Sequence, residues 1–282
     1  MKRLLVIFLA LALLLGSCAA PASTSGQPSI AATTWPVYCF ASALCDGTGL
    51  QVTQVISEPV SCLHDYTLSI RQMQDIERAD VVICSGGGLE DFMADALAQA
   101  KAQIDASEGI SLLPGEDGDD PHIWLSPKNA GKMVENIAQA LTVRYPERAE
   151  KILANRDAYL AELSALQAYG DEQLANLSTR ELITFHDGFA YFAAAFNLTI
   201  LAAIEEESGS EASAAELRDI TALVQSHKLP AVFVEENGSA AAAFVIAQET
   251  GCKIYTLSMA MGETDYLQAM RNNIDTIREA LS

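Results

Sequence analysis

The sequence predicts an α/β protein of two lobes, each with a central parallel-type sheet flanked by helices, joined by one long rigid α-helix. Three observations predict it. Short β-branched runs alternate with helical stretches along most of the chain, the pattern of parallel winding. About 255 residues follow the N-terminal segment, a length that suits two ordinary cores better than one. Between the two sets of alternating elements, Glu147 to Leu177 contains no proline and a single glycine, Gly170.

The chain opens Met1-Lys2-Arg3 and runs from Leu4 to Leu15 without a polar residue, a charged segment followed by an apolar one, as in an export signal. This apolar run is shorter than the ~20 residues a membrane-spanning helix needs. It closes in Leu15-Gly16-Ser17-Cys18, small residues before a cysteine, so cleavage before Cys18 is expected. Residues 19 to 28 are small and polar, a flexible tether. The expected organisation is a lipoprotein signal peptide over 1–17, a tether over 18–28, an N-terminal lobe over 29–145, a connecting helix over 146–177 and a C-terminal lobe over 178–282.

In the first lobe the pattern predicts a strand over Ile30 to Thr34, a helix from Pro36 to Asp46 and an alternating strand over Val52 to Ile56. A helix over Ser69 to Arg78 then leads into the strand Val81 to Cys84, the turn Ser85-Gly86-Gly87-Gly88, a helix over Leu89 to Ala100 and a weaker strand at 102–105. Residues 114 to 121 form a polar, breaker-rich connection. Ser126-Pro127 offers a cap and a first-turn proline for a helix running to about Arg144. Pro146 opens the connecting helix, whose Ile152, Tyr159, Leu163 and Leu166 share a stripe. Some 30 helical residues would run ~45 Å, enough to brace two lobes. The second lobe repeats the winding, with strands over 182–185, 198–202, 231–234 and 253–256 and helices over 188–196, 213–227 and 239–249. A last helix carries Leu267, Met270, Ile274, Ile277 and Leu281 at three-and-four spacing.

Losing Lys2 and Arg3 with the signal takes the 17 basic residues to 15 against 37 acidic ones, a formal charge of about −22 that disfavours nucleic acid as a partner. Charge alone barely favours metal, because acidic surfaces also serve solubility. Beyond Cys18 stand Cys39, Cys45, Cys62, Cys84 and Cys252, an odd number without CxxC spacing, which argues against a disulfide framework or a zinc knuckle.

The chain has four histidines. His64, His122 and His186 each fall in a loop or at a strand end, where ligands bind in α/β folds. The neighbours Asp65 and Asp187 could accept from an imidazole and orient it. Three imidazoles with one open or oxygen-filled position suit zinc, whereas calcium and magnesium want oxygens. His227, near a helix end, complements the dipole there.

The segments Thr33-Thr34-Trp35-Pro36-Val37-Tyr38, Ser61-Cys62-Leu63-His64-Asp65-Tyr66-Thr67-Leu68, Asp120-Pro121-His122-Ile123-Trp124-Leu125-Ser126-Pro127, Phe185-His186-Asp187-Gly188-Phe189-Ala190-Tyr191-Phe192 and Asn273-Ile274-Asp275-Thr276-Ile277 resemble the solute-binding lipoproteins of zinc and manganese ABC transporters, in that family's order. The resemblance implies a lipid on Cys18, a monomer hung from the outer face of the cell membrane or in the periplasm, and a metal buried between the lobes. His64 and His122 would come from the first lobe and His186 from the second. It implies capture of Zn2+, with Mn2+ as the alternative, and delivery to an ABC transporter permease. Manganese-specific members often carry a carboxylate where His186 stands, which leans the site toward zinc. Many members place an Asp or Glu in the loop before the final helix as fourth ligand, but here the best-matched positions hold Leu or Met. Water, Glu263, or the thioether of Met259 or Met261 are the candidates, in that order. The acidic stretch 115–120 stands where relatives insert a histidine-rich segment, and it reads as a solvated loop. Cys62 reads as a buried thiol before it reads as a ligand.

Two other classes compete. A zinc hydrolase would need a general base beside the metal, and HExxH is absent from the sequence, so the chain is expected not to be an enzyme. An extracellular adhesin would need an exposed apolar patch. The turn Gly86-Gly87-Gly88 lacks the spacing of a phosphate loop and reads as a strand-to-helix turn, and Glu205-Glu206-Glu207 reads as a solvated rim.

Overall fold

The computed structural model describes residues 28–58, 63, 66–115, 118–186, 188–205, 212–236, 238–262 and 264–282, with the backbone alone for His186 and Glu205. Cys18, the expected lipidation site, and Cys62, His64, Asp65, Asp187 and Glu263 lie outside the described residues.

The N-terminal lobe is built on β1 (Ser29–Ala32), β2 (Gln51–Gln54), β3 (Val81–Cys84) and β4 (Gln103–Asp105), all parallel in the order β2-β1-β3-β4. Helix α1 (Trp35–Cys45) begins with a proline in its first turn, where the missing N–H costs nothing. Helix α2 (Ile70–Arg78) is held by a capping box between Ser69 and Gln72, which satisfies two backbone donors at once.

The helix expected over Leu89 to Ala100 is instead a 3-10 turn at Asp91–Met93 followed by the single turn α3 (Ala94–Leu97). The cause is Glu90. Its carboxylate folds back to accept from Thr33 Oγ1 at 2.6 Å, Ser85 N at 2.7 Å and Gly86 N at 3.0 Å. That holds residue 90 at φ −95°, ψ 13°, outside helical geometry. The polar connection also folds further than expected: β5 (Leu113–Pro114) and β6 (Asp119–Asp120) make a short antiparallel pair.

Helix α4 (Pro127–Arg144) follows, capped by Ser126 accepting from Asn129 N at 3.4 Å. After a 3-10 turn at Pro146–Arg148 the connecting helix α5 spans Ala149–Gln173, 25 residues, or about 37 Å. It is shorter than the sequence pattern suggests because Arg180 takes its end. That guanidinium donates to Leu174 O at 2.7 Å, Ala175 O at 3.4 Å and Phe196 O at 3.1 Å, satisfying carbonyls a longer helix would have used. Gly170 lets the ring of Phe196 approach: a Cβ there would lie 2.2 Å from Phe196 Cε1.

In the C-terminal lobe β7 (Glu181–His186) pairs in parallel with β8 (Thr199–Glu205), across α6 (Ala190–Ala195). Leu201 is an extra residue in β8, a bulge between the partners of Leu182 and Ile183. After α7 (Ala214–His227), β9 (Ala231–Glu235) pairs in parallel with β10 (Lys253–Leu257), across α8 (Ala241–Thr250). Strand β9 also runs alongside β7, which gives the lobe four adjacent strands. Helix α9 (Tyr266–Leu281) closes the chain on α5 and α1.

The lobes share an interior. One apolar core runs from Ile30 and Phe40 through Ile152 and Leu166 of α5 to Phe233, Leu257, Tyr266 and Leu281. A second core, with Ile183, Phe185, Val232, Val234 and Ile246, lies on the other face of the C-terminal sheet. Among the described residues no helix is long and apolar enough to cross a membrane, and Cys39, Cys45, Cys84 and Cys252 are free thiols.

Candidate metal centre

His122 sits two residues past the end of β6, on a chain that turns directly into the buried 3-10 segment Ile123–Leu125. Its side chain is nearly buried. Asp120 Oδ1 accepts the His122 backbone N–H at 2.9 Å and lies 2.8 Å from its Nδ1. A carboxylate only accepts, so Nδ1 carries a proton, and Nε2 is the nitrogen whose lone pair a neutral ring would offer a metal. The sequence offered Asp65 and Asp187 as orienting carboxylates, each directly after a histidine. Those two lie outside the described residues; at His122 the carboxylate stands two residues before the ring, where the turn through Pro121 folds it back.

The loop around His122 is pinned to the C-terminal lobe by aromatic groups. Tyr191 Oη donates to Asp120 O and accepts from Leu113 N, both at 2.8 Å, so one phenol on α6 holds both strands of the β5–β6 pair. Trp124 Nε1 donates to Met259 O at 2.8 Å, and Tyr266 Oη donates to Trp124 O at 2.7 Å. The Trp124 ring stands edge-on to the imidazole of His122, centroids 5.4 Å apart. Trp35 Nε1 adds a link to Thr264 O at 2.8 Å. Each buried donor or acceptor here would cost about 1–3 kcal/mol if left unmade, which fixes the lobes at this level.

From the second lobe, His186 is the last residue of β7, paired with Glu205 on β8. Residue 257, at the end of β10, is a buried leucine, and Met259 just beyond is buried as well. Met259 packs in the shared core; Met261 is half-buried against it. Among the described residues no three His, Cys, Asp or Glu side chains converge in a metal-binding group; of the three histidines singled out by sequence, the side chain of His122 alone is described. Glu235, at the end of β9 and 4% exposed, escaped the sequence reading. Its signal was the first of two acids, Glu235-Glu236, closing the apolar run Ala231-Val232-Phe233-Val234.

The glycine turn has its own occupant. Gly86, Gly87 and Gly88 all take positive φ, a backbone glycine adopts at little cost. Their amides face side chains of the same chain: Glu90 accepts from Gly86 N, and Ser107 Oγ accepts from Gly87 N at 3.0 Å. A Cβ at Gly86 would overlap Asp105 Oδ1. A carboxylate fills the place a phosphate would take. His227 Nδ1 lies 2.8 Å from Glu181 Oε2 on the surface, a hydrogen bond apart from the histidines of the candidate site.

The sequence profile of the zinc-uptake complex component A family, periplasmic (ZnuA), matches residues 30–280. The zinc-binding lipoprotein AdcA of Streptococcus pneumoniae is 29% identical over 310 residues, covering 99% of this chain and 61% of that protein, so this chain spans about three fifths of that relative's length. The manganese-binding lipoprotein MntA of Halalkalibacterium halodurans is 29% identical over 233 residues, 78% of this chain and 77% of that protein. The crystal structure of the Zn(II)-bound ZnuA-like domain of Streptococcus pneumoniae AdcA superposes with a TM-score of 0.79 at 29% identity, covering 91% of this chain and 99% of that one. The chain belongs to the family of the periplasmic zinc-uptake component A.

Proposed function

We propose that this chain is the extracytoplasmic receptor of an ABC importer: it captures zinc between its lobes and hands it to the permease, while a lipid on Cys18 holds it at the membrane. The observation that carries this reading is His122, a nearly buried imidazole oriented through Nδ1 by Asp120 beside the carboxyl ends of the C-terminal strands. His64 and His186 complete the proposed donor set, with Glu263 or water as a fourth ligand. Three neutral nitrogens suit a borderline-soft cation with a tetrahedral preference.

The shared core and the aromatic hydrogen bonds support a mechanism without wide hinge closure. Metal enters a largely preformed site, and loops rather than whole lobes respond to it. Because the imidazoles bind as neutral bases, affinity falls as pH drops and protons compete. The reading assigns the chain no catalytic step. Manganese is the second reading, favoured by the likeness to a relative named for binding that ion.

The test is metal content and competitive zinc and manganese titration of the mature chain against His122→Ala and His186→Ala. One tight zinc per chain, much weakened in both variants and poorly displaced by manganese, is expected. Manganese preference would replace the ion and keep the receptor, whereas no tight metal in the wild type would sink the proposal.

A further inference from the structure

We infer that Glu235 is a residue of the metal site, its carboxylate supplying the negative charge that position 257 does not. This rests on the reading of the interlobe site as a metal centre. Strand β10 ends in Leu257, 1% exposed, which offers a metal nothing but methyl groups. The register partner of Leu257 on the parallel strand β9 is Glu235. Partners in register leave the same face of a sheet, at a strand spacing of about 4.8 Å.

That face is the one turned to the shared core. Ala231 and Phe233, four and two residues before Glu235, belong to the core that runs through both lobes, while Val232 and Val234 belong to the outer one. Strand β9 lies between β10 and β7. Glu235 is therefore one strand closer than Leu257 to β7, the strand that ends in His186. On β7, the buried Thr184 Oγ1 has no hydrogen-bond partner among the described residues, and by strand alternation with Leu182 it lies on the same shared-core face.

The chemistry follows from charge. Three neutral imidazoles leave the full double charge on a bound zinc ion, and a low-dielectric interior disfavours such a charge strongly. One carboxylate held 4% exposed at the same strand ends halves it. It also sharpens the preference for a dication over water or a monovalent ion. The sequence offered water, Glu263 or a methionine thioether as the fourth ligand; the strand register adds Glu235 on β9.

The experiment compares the purified wild-type protein with Glu235→Gln, Glu235→Ala and the double variant Glu235→Gln/Leu257→Asp. Zinc affinity is read by competition with a chromophoric chelator, and the coordination sphere by the visible spectrum of the cobalt(II) form. Glu235→Gln is expected to weaken zinc by about ten-fold or more and to shift the cobalt bands, and Leu257→Asp in that background to restore affinity. Glu235→Gln binding zinc within two-fold of wild type, with an unchanged cobalt spectrum, would overturn the inference while the receptor reading stands. A wild type that binds neither ion would overturn both.

Discussion

Replacing Asp120 separates the orientation of His122 from its presence. Asp120 Oδ1 takes both the backbone N–H and the Nδ1 proton of His122, at 2.9 and 2.8 Å, and is itself buried. Asp120→Asn keeps an acceptor but removes the charge, and charge-assisted bonds are roughly twice as strong as neutral ones. Asp120→Ala removes the acceptor, so the ring is free to turn Nε2 away from the site. Loss of such an outer partner costs about 10- to 100-fold in metal affinity, and we assign the lower end to Asn and the upper to Ala. At free zinc one hundred times the wild-type Kd, bound metal stabilises the wild type by about 2.7 kcal/mol. The same zinc then stabilises the Asn variant by about 1.4 and the Ala variant by about 0.4 kcal/mol. In thermal melts with and without zinc the wild-type shift is about 5–10 °C, with each variant progressively smaller. A zinc-induced shift in Asp120→Ala equal to that of the wild type would refute the argument.

Two glycines in helices should respond in opposite ways. Gly131→Ala in α4 places its Cβ 3.5 Å from Leu160 Cδ2, ordinary contact, and should gain about 1 kcal/mol from helix propensity. Gly170→Ala in α5 drives a methyl into Phe196 and should lose about 1–3 kcal/mol; urea midpoints decide both, and equal gains would disprove the packing argument. Trp124→Phe deletes the donor to Met259 O and should lower stability by about 1–3 kcal/mol, checked by a fall in the urea midpoint at constant slope. Burial raises the carboxyl of Glu90 to a pKa of about 7, against the hydrogen bonds from Thr33, Ser85 and Gly86 that lower it. The folded state therefore holds that proton more tightly than the unfolded chain. Its contribution is full below the ordinary glutamate range and disappears as pH rises through 7, a difference of up to about 3 kcal/mol. In metal-free protein, the stability of wild type minus that of Glu90→Gln should fall from pH 5 to 8; a flat difference would contradict it.

The repeating strands were legible because buried parallel strands read as short β-branched runs: the run from Val81 to Cys84 is a strand with those limits. Helix α4 was legible from its Ser126-Pro127 start, the strongest local signal in the chain. The failures share a cause, side chains that bond to groups outside their own element. Glu90 unwinds a helix that propensity favours, by accepting from the Thr33 hydroxyl and the Ser85 and Gly86 amides. Arg180 ends α5 from beyond its terminus. The β5–β6 pair has no apolar alternation to betray it, because Tyr191, some 70 residues later, holds it together. In the candidate site the histidine His122 stood out by type and motif. The partner Asp120 needed the turn geometry, and Glu235 needed the register of β9 on β10, neither of which a single sequence contains.

Under the proposed receptor role, the interior common to both lobes bears on competition at the transporter. A receptor whose halves share one core would keep nearly the same outline whether empty or loaded. The permease would then meet empty and charged receptors with similar docking faces, and empty ones would occupy the entrance without delivering cargo. Uptake would follow the ratio of charged to total receptor rather than the amount of charged receptor alone, so making more of this protein in metal-starved surroundings would slow import once docking saturates.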